Sequence, residues 1–280
     1  MVCCSNGQKH SARKTIQELE NVLLRMGIHT SFSNAIYEKA PAVSASAGER
    51  ARALMNFYKN DEIKGIFDIS GGDLANGILP DLDYHVIADS PKTFCGYSDL
   101  TTVLNAIYTK TGRSCVLYQI RNLVYDNRKT QTADFQNTVQ NGRPDLFQLR
   151  YHFIQQKEMH GIVIGGNIRC FLKLAGTEYM PDFKGKILLL ESYHGTAPQI
   201  ETYLRQLQQL GAFQKAAGIL LGTFTQMQAK SCVPTVEMLV QEIAGRDLPL
   251  AVTPDIGHGT DSKGIIIGQE RSFSSYRDTN

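Results

Sequence analysis

Apolar positions along the chain alternate between two kinds of run. Ile16, Leu19, Val22, Leu23 and Met26 recur at helical spacing and predict a helix that Gly27 ends. A second helix is predicted over residues 48–60, with Ala51, Leu54, Met55 and Tyr58 turned inward. The run from Ile63 to Ile69 reads as a buried strand stopping at Ser70-Gly71-Gly72. Residues 93–97 read as a strand, 99–111 as a helix carrying Leu100, Val103, Leu104 and Ile107, and 114–118 as the next strand. Val2-Cys3-Cys4 is a short candidate for the first strand of all.

Strands separated by helices build β-α-β units, and so a parallel sheet covered on both faces. Residues 121–160 break the rhythm: they are rich in Asn, Gln, Arg, Lys and Asp, and predict a connection or an irregular subdomain. Beyond them, 161–165, 186–190, 218–222 and 264–268 read as strands, with helical patterns at 168–174, 200–210 and 235–244. The expected fold class is α/β. An N-terminal flavodoxin-like parallel α/β domain spans 1–122, a connecting segment 123–160 and a C-terminal α/β domain 161–280, with the active site at their interface.

Composition narrows the class. Of 280 residues 42% are hydrophobic, too many for a disordered chain. A net charge of +2 offers no broad footprint for nucleic acid or an anionic membrane, and neither is expected as a partner. No apolar run reaches membrane-spanning length, and the first ten residues lack the apolar stretch of a secretion signal. The six cysteines show no C-x-x-C spacing and read as reduced thiols, so a cytoplasmic location is expected.

In open α/β sheets ligands bind beyond the carboxyl ends of the strands, and polar groups gather there in this sequence. Gly96-Tyr97-Ser98-Asp99 lies at a strand-to-helix junction. A tight turn would raise the Ser98 hydroxyl at the sheet rim like a nucleophile elbow, although the trailing glycine of G-x-S-x-G is absent. The same serine could simply cap the following helix. Ser70-Gly71-Gly72-Asp73 could present amides to an anion or form a plain turn. Glu191 ends an apolar strand, either as a surface cap or as a buried orienting group. His258, flanked by Gly257 and Gly259, would have few neighbours and could stand in a cleft. Cys95, just before the elbow, is expected to point into the core. No H-E-x-x-H occurs among the seven histidines and G-x-G-x-x-G is missing, so neither a metal nor an organic cofactor is expected.

The stretch from Phe67 to Asp83, FDISGGDLANGILPDLD, and Pro91–Thr101, PKTFCGYSDLT, resemble the L,D-carboxypeptidase family of serine peptidases. That family also contains the microcin C immunity proteins. The likeness continues through Gly165-Gly-Asn-Ile168, Leu174-Ala-Gly-Thr177, the run from Lys184 to Glu191, and Ile256-Gly-His-Gly259, in order over about residues 40–270. The resemblance implies a Ser–His–Glu triad shared between two domains, with Ser98 as nucleophile and Glu191 and His258 from the C-terminal domain. It also implies an oxyanion hole of the Gly72 and Asp99 amides, a muropeptide ending in D-Ala as substrate, and a homodimer.

The immunity branch instead cleaves an amide joining an aminoacyl group to a nucleotide-like moiety, stacking the base on a tryptophan. This chain has no Trp, which leaves Tyr193 or Phe171 for such a role. Two further departures bear on specificity. Cys115-Val-Leu-Tyr-Gln119 stands where many members have Gly-Pro, and Gly195 where many carry a second acidic residue. A non-enzymatic binding protein with a decayed triad is the rival from another class, and the intact Ser98, Glu191 and His258 argue against it.

Overall fold

The computed structural model describes residues 1–275. Strands β1 (Gly65–Phe67), β2 (Thr93–Gly96) and β3 (Cys115–Leu117) are parallel and form the core of a four-stranded sheet. The second sheet is built from β4 (His152–Gln155), β5 (Glu158–Asn167), β6 (Lys186–Ser192), β7 (Gly218–Phe224) and β8 (Leu250–Val252), with β10 (Glu270–Ser274) on its other edge. Strands β5 to β8 run parallel, and β4 and β10 cap the edges antiparallel. Near-continuous apolar runs explain this centre: Ile187–Leu190 and Leu220–Leu221 are fully buried, as strands covered on both faces must be.

Three expectations change. The 264–268 run forms β9 (Ile265–Ile267), but it joins the first sheet, antiparallel to β3, and not the sheet of its sequence neighbours. Its three isoleucines cover an edge that would otherwise expose unpaired backbone. The 123–160 segment contains a regular helix, α5 (Arg128–Asn141), and strand β4, so only part of it is irregular. Val2-Cys3-Cys4 forms no strand of its own. It contributes one parallel bridge, in which Val2 N donates to the Phe67 carbonyl at 3.0 Å and its own carbonyl accepts from Ile69 N at 3.0 Å.

The helices that carry the first sheet are α1 (Arg13–Arg25), α2 (Ala47–Lys59), α3 (Tyr84–Asp89) and α4 (Thr101–Thr111). Ser46 and Glu49 close a reciprocal cap on α2, and Gly112, left-handed at φ 71°, ends α4. Helix α4 is the bridge between the sheets. Asn105 donates from Nδ2 to the Gly165 carbonyl at 2.9 Å and accepts from Gly165 N at 2.8 Å. One turn earlier the Thr101 hydroxyl accepts from Asn167 N at 3.1 Å. One apolar cluster runs through Phe94 and Leu117, through Leu104 of α4, and into Ile164 and Leu188, so the two sheets share a core.

Candidate active site

Strand β2 is followed by Tyr97, which is fully extended (φ −156°). The chain then reverses at Ser98, whose φ of 57° is left-handed, and enters a 3-10 turn leading to α4. Such a backbone costs a non-glycine residue on the order of 1–3 kcal/mol and persists only where the surroundings over-determine it. Gly96 makes the turn possible: a Cβ there would lie 2.7 Å from the Leu100 Cβ. Asp99, with no exposed surface, supplies the surroundings. Its Oδ2 accepts from the Ser5 hydroxyl at 2.6 Å and from Ala75 N at 2.9 Å, and its Oδ1 from Lys173 Nζ at 2.5 Å.

The Gly71-Gly72 turn passes beside this serine, since a Cβ on Gly71 would sit 3.8 Å from the Ser98 Cβ. Gly72 has φ 121°, and the Asn6 amide occupies the space a side chain would need. Asn6 Oδ1 then accepts from Asp73 N at 3.0 Å. Among the described residues, the amides of Gly72 and Asp99 have no protein acceptor.

From the second sheet come Glu191, 1% exposed on β6, and His258 on the loop after β8. That loop is fixed at three points. Thr223 N donates to the Ile256 carbonyl at 2.8 Å. Gly257 lets Thr223 press so close that a Cβ would fall 1.8 Å from its hydroxyl oxygen. Buried Asp255 accepts from Arg150 N at 2.6 Å and from its guanidinium at 2.5 and 3.0 Å. The His258 ring lies between Tyr97 at 4.6 Å and Tyr193 at 4.9 Å, the latter nearly parallel at 24°.

The structure brings Ser98, Glu191 and His258 together. His258 Nδ1 donates to Glu191 Oε2 at 2.8 Å, and Ser98 Oγ donates to His258 Nε2 at 3.2 Å. An ionised carboxylate only accepts, so the Nδ1 proton is assigned by Glu191, and the lone pair of the neutral ring faces the serine. Burial, and then the Glu191 charge, push the Tyr97 phenol up, so it stays neutral beside the ring.

Ser98 and His258 open onto a cleft of about 270 Å3 lined also by Gly72, Arg169 and Tyr193, with Glu191 buried behind the histidine. Tyr193 is 45% exposed there, whereas Phe171 is fully buried against Phe183 and offers no face to a ligand. Cys95 is buried as expected, its thiol donating to the Tyr118 carbonyl at 3.5 Å. Arg169 was not among the residues singled out from the sequence. It follows Gly-Asn-Ile on α6 (Ile168–Phe171), pairs with Asp73, and donates from Nη2 to the Gly72 carbonyl at 3.1 Å. The Arg169 hydrogen bond to Asp73 holds that carboxyl below the usual carboxylate range. The visible signal was two cations, Arg169 and Lys173, one helical turn apart after a motif already noted. Among the described residues no three His, Cys, Asp or Glu side chains gather as metal ligands would, and no helix is long and apolar enough to cross a membrane.

Comparison with known proteins agrees in extent. The LD-carboxypeptidase N-terminal domain matches residues 1–119 and the LD-carboxypeptidase C-terminal domain residues 160–272. A putative carboxypeptidase of Treponema pallidum is 29% identical over 268 residues, covering 87% of this chain and 79% of that protein. A probable murein peptide carboxypeptidase of Bacillus subtilis is 26% identical over 285 residues, covering 94% and 86%. The crystal structure of an MccF-like protein from Bacillus anthracis superposes with a TM-score of 0.84 at 27% identity, covering 99% of this chain and 93% of that one.

Proposed function

The chain belongs to the LD-carboxypeptidase family, and from that premise we propose that it is a serine peptidase releasing terminal D-Ala from muropeptides by cleaving an L,D-peptide bond. The observation that supports this most is the unbroken path from Ser98 Oγ to His258 at 3.2 Å and on to Glu191 at 2.8 Å, facing the cleft. In this reading His258 Nε2 takes the Ser98 proton as Oγ attacks the scissile carbonyl. Glu191 holds the tautomer and stabilises the imidazolium that forms. The amides of Gly72 and Asp99 stabilise the tetrahedral oxyanion, which exists only near the transition state, so they raise rate more than affinity. His258 returns its proton to the leaving amine, D-Ala departs, and a water activated by the same nitrogen hydrolyses the acyl-enzyme.

The decisive assay offers purified protein L-Ala-γ-D-Glu-L-Lys-D-Ala and its diaminopimelate analogue and measures free D-Ala. Release by the wild type, reduced about a million-fold in Ser98→Ala, supports both reaction and nucleophile. No release from either peptide rejects the muropeptide assignment. A second reading is favoured by one feature, the half-exposed Tyr193 ring on the cleft wall, which could stack a nucleobase. Hydrolysis of an aminoacyl sulfamoyl-adenosine without D-Ala release would decide for that amide.

A further inference from the structure

The nucleophile turn and the turn carrying the Gly72 amide belong to the first sheet, yet both are gripped from the other side of the interface. Lys173, in the 3-10 turn Leu172–Leu174 that continues α6, is 19% exposed at its side chain. Its ammonium donates to Asp99 Oδ1 at 2.5 Å and to the Asp73 carbonyl at 2.9 Å. Four positions earlier, Arg169 takes the Gly72 carbonyl at 3.1 Å and the Asp73 carboxylate. Four positions apart across α6 and its 3-10 continuation, the two side chains reach the same pair of turns. Asp99 in turn gathers Ser5 from the N-terminal segment and Ala75 from beyond the glycine turn.

We infer that Lys173, assisted by Arg169, is a positioning residue that sets the spacing of the two amide donors relative to Ser98 and locks both to the half of the molecule that carries Glu191 and His258. The inference rests on the reading of Ser98 as nucleophile and of the Gly72 and Asp99 amides as its oxyanion donors. Its physical basis is the steepness of such an arrangement. Donors must sit about 2.7–3.1 Å from an oxygen that appears only in the transition state, and misplacement by about 1 Å costs on the order of a hundredfold in rate. A lysine that bonds one donor's own side chain and the carbonyl next to the other donor controls both with one atom. Neither cation touches the reacting atoms, and Lys173 does not line the cleft, so the effect of Lys173 belongs in kcat and not in KM.

The test compares Lys173→Met, Lys173→Arg and Arg169→Met with the wild-type protein. Each is assayed for D-Ala release and, independently of any substrate assignment, for the rate at which a fluorophosphonate labels Ser98, normalised to folded protein by thermal melting. Lys173→Met is expected to lower kcat and the labelling rate about 10- to 100-fold with KM within about twofold, and Lys173→Arg to recover much of both. Arg169→Met, whose side chain is half-exposed and so serves if Lys173→Met does not fold, is expected to slow labelling about three- to tenfold. Labelling of folded Lys173→Met and Arg169→Met at the wild-type rate would overturn the inference and leave the nucleophile standing. A wild-type protein that is neither labelled nor active would overturn the nucleophile reading, and this inference with it.

Discussion

The loops that present Ser98 and His258 solve the same problem by opposite means. Ser98 is placed by its backbone: a left-handed residue, φ 57°, wedged between an extended tyrosine and a 3-10 turn, with the buried Asp99 carboxylate tying the turn to three other segments. His258 is placed by its neighbours. Glycines flank it, Glu191 and two tyrosine rings hold the imidazole, and Thr223 and the Arg150–Asp255 pair hold the loop. A nucleophile whose position is a backbone dihedral tolerates little adjustment. A base held by ring contacts and one hydrogen bond can rotate slightly as the proton moves between its two partners. The difference assigns the strain to the atom that attacks and the freedom to the one that relays.

The strongest way to break the comparison is Ser98→Gly. On the reading proposed above it abolishes turnover to the level of Ser98→Ala, about a million-fold down. Because glycine accepts the left-handed backbone, it should also raise stability by up to about 1 kcal/mol, read as a higher melting temperature than that of Ser98→Ala. A lower melting temperature would show that the turn is unstrained. Next comes Glu191→Gln, which keeps the shape but removes the charge that fixes the tautomer. The rate of D-Ala release is expected to fall about ten-thousand-fold with little change in melting temperature, and a fall of under tenfold would deny Glu191 its role. Gly257→Ala sharpens the comparison from the other side. With Thr223 occupying the space of the new methyl, the histidine loop must shift, at a cost of about 1–3 kcal/mol in urea denaturation and about a hundredfold in rate. If the nucleophile is independently held, Ser98 in this variant still faces both amide donors.

Much of this was legible in the chain because the signals are local. The β2–α4 junction shows itself through a strand-length apolar run, Gly96 and a helical repeat from Leu100 to Ile107. Glu191 stands out because a carboxylate closing Leu188-Leu-Leu calls for a partner, which the fold supplies in His258. What stayed hidden depends on contacts between distant segments. Ser5 and Asn6 sit in an unremarkable polar stretch, yet they support Asp99 and fill the space beside Gly72. Lys173 reads as one more surface lysine until α6 is laid against the nucleophile turn. Tyr193 and Phe171 were equal candidates for an open aromatic face, and only packing distinguishes them: one lines the cleft and the other fills the core beside Phe183. The partner of Ile265–Ile267 was hidden for the same reason, since an apolar triplet fits the edge of either sheet.

That last strand has a consequence for how the molecule is made. During synthesis the chain emerges from its N-terminus, and β1, β2 and β3 are complete long before the ribosome reaches residue 265. Until Ile265–Ile267 arrives, β3 waits with a bare edge, and the half that holds Ser98 is an unfinished sheet. The final strands therefore act as a fastener: β9 closes the first sheet and β10, three residues later, closes the second. A nascent chain cannot complete the serine half before the histidine half exists. Cutting the gene near residue 150 should leave the N-terminal fragment without the strand that closes its sheet and the C-terminal fragment with an unpaired β9, and not two autonomous modules.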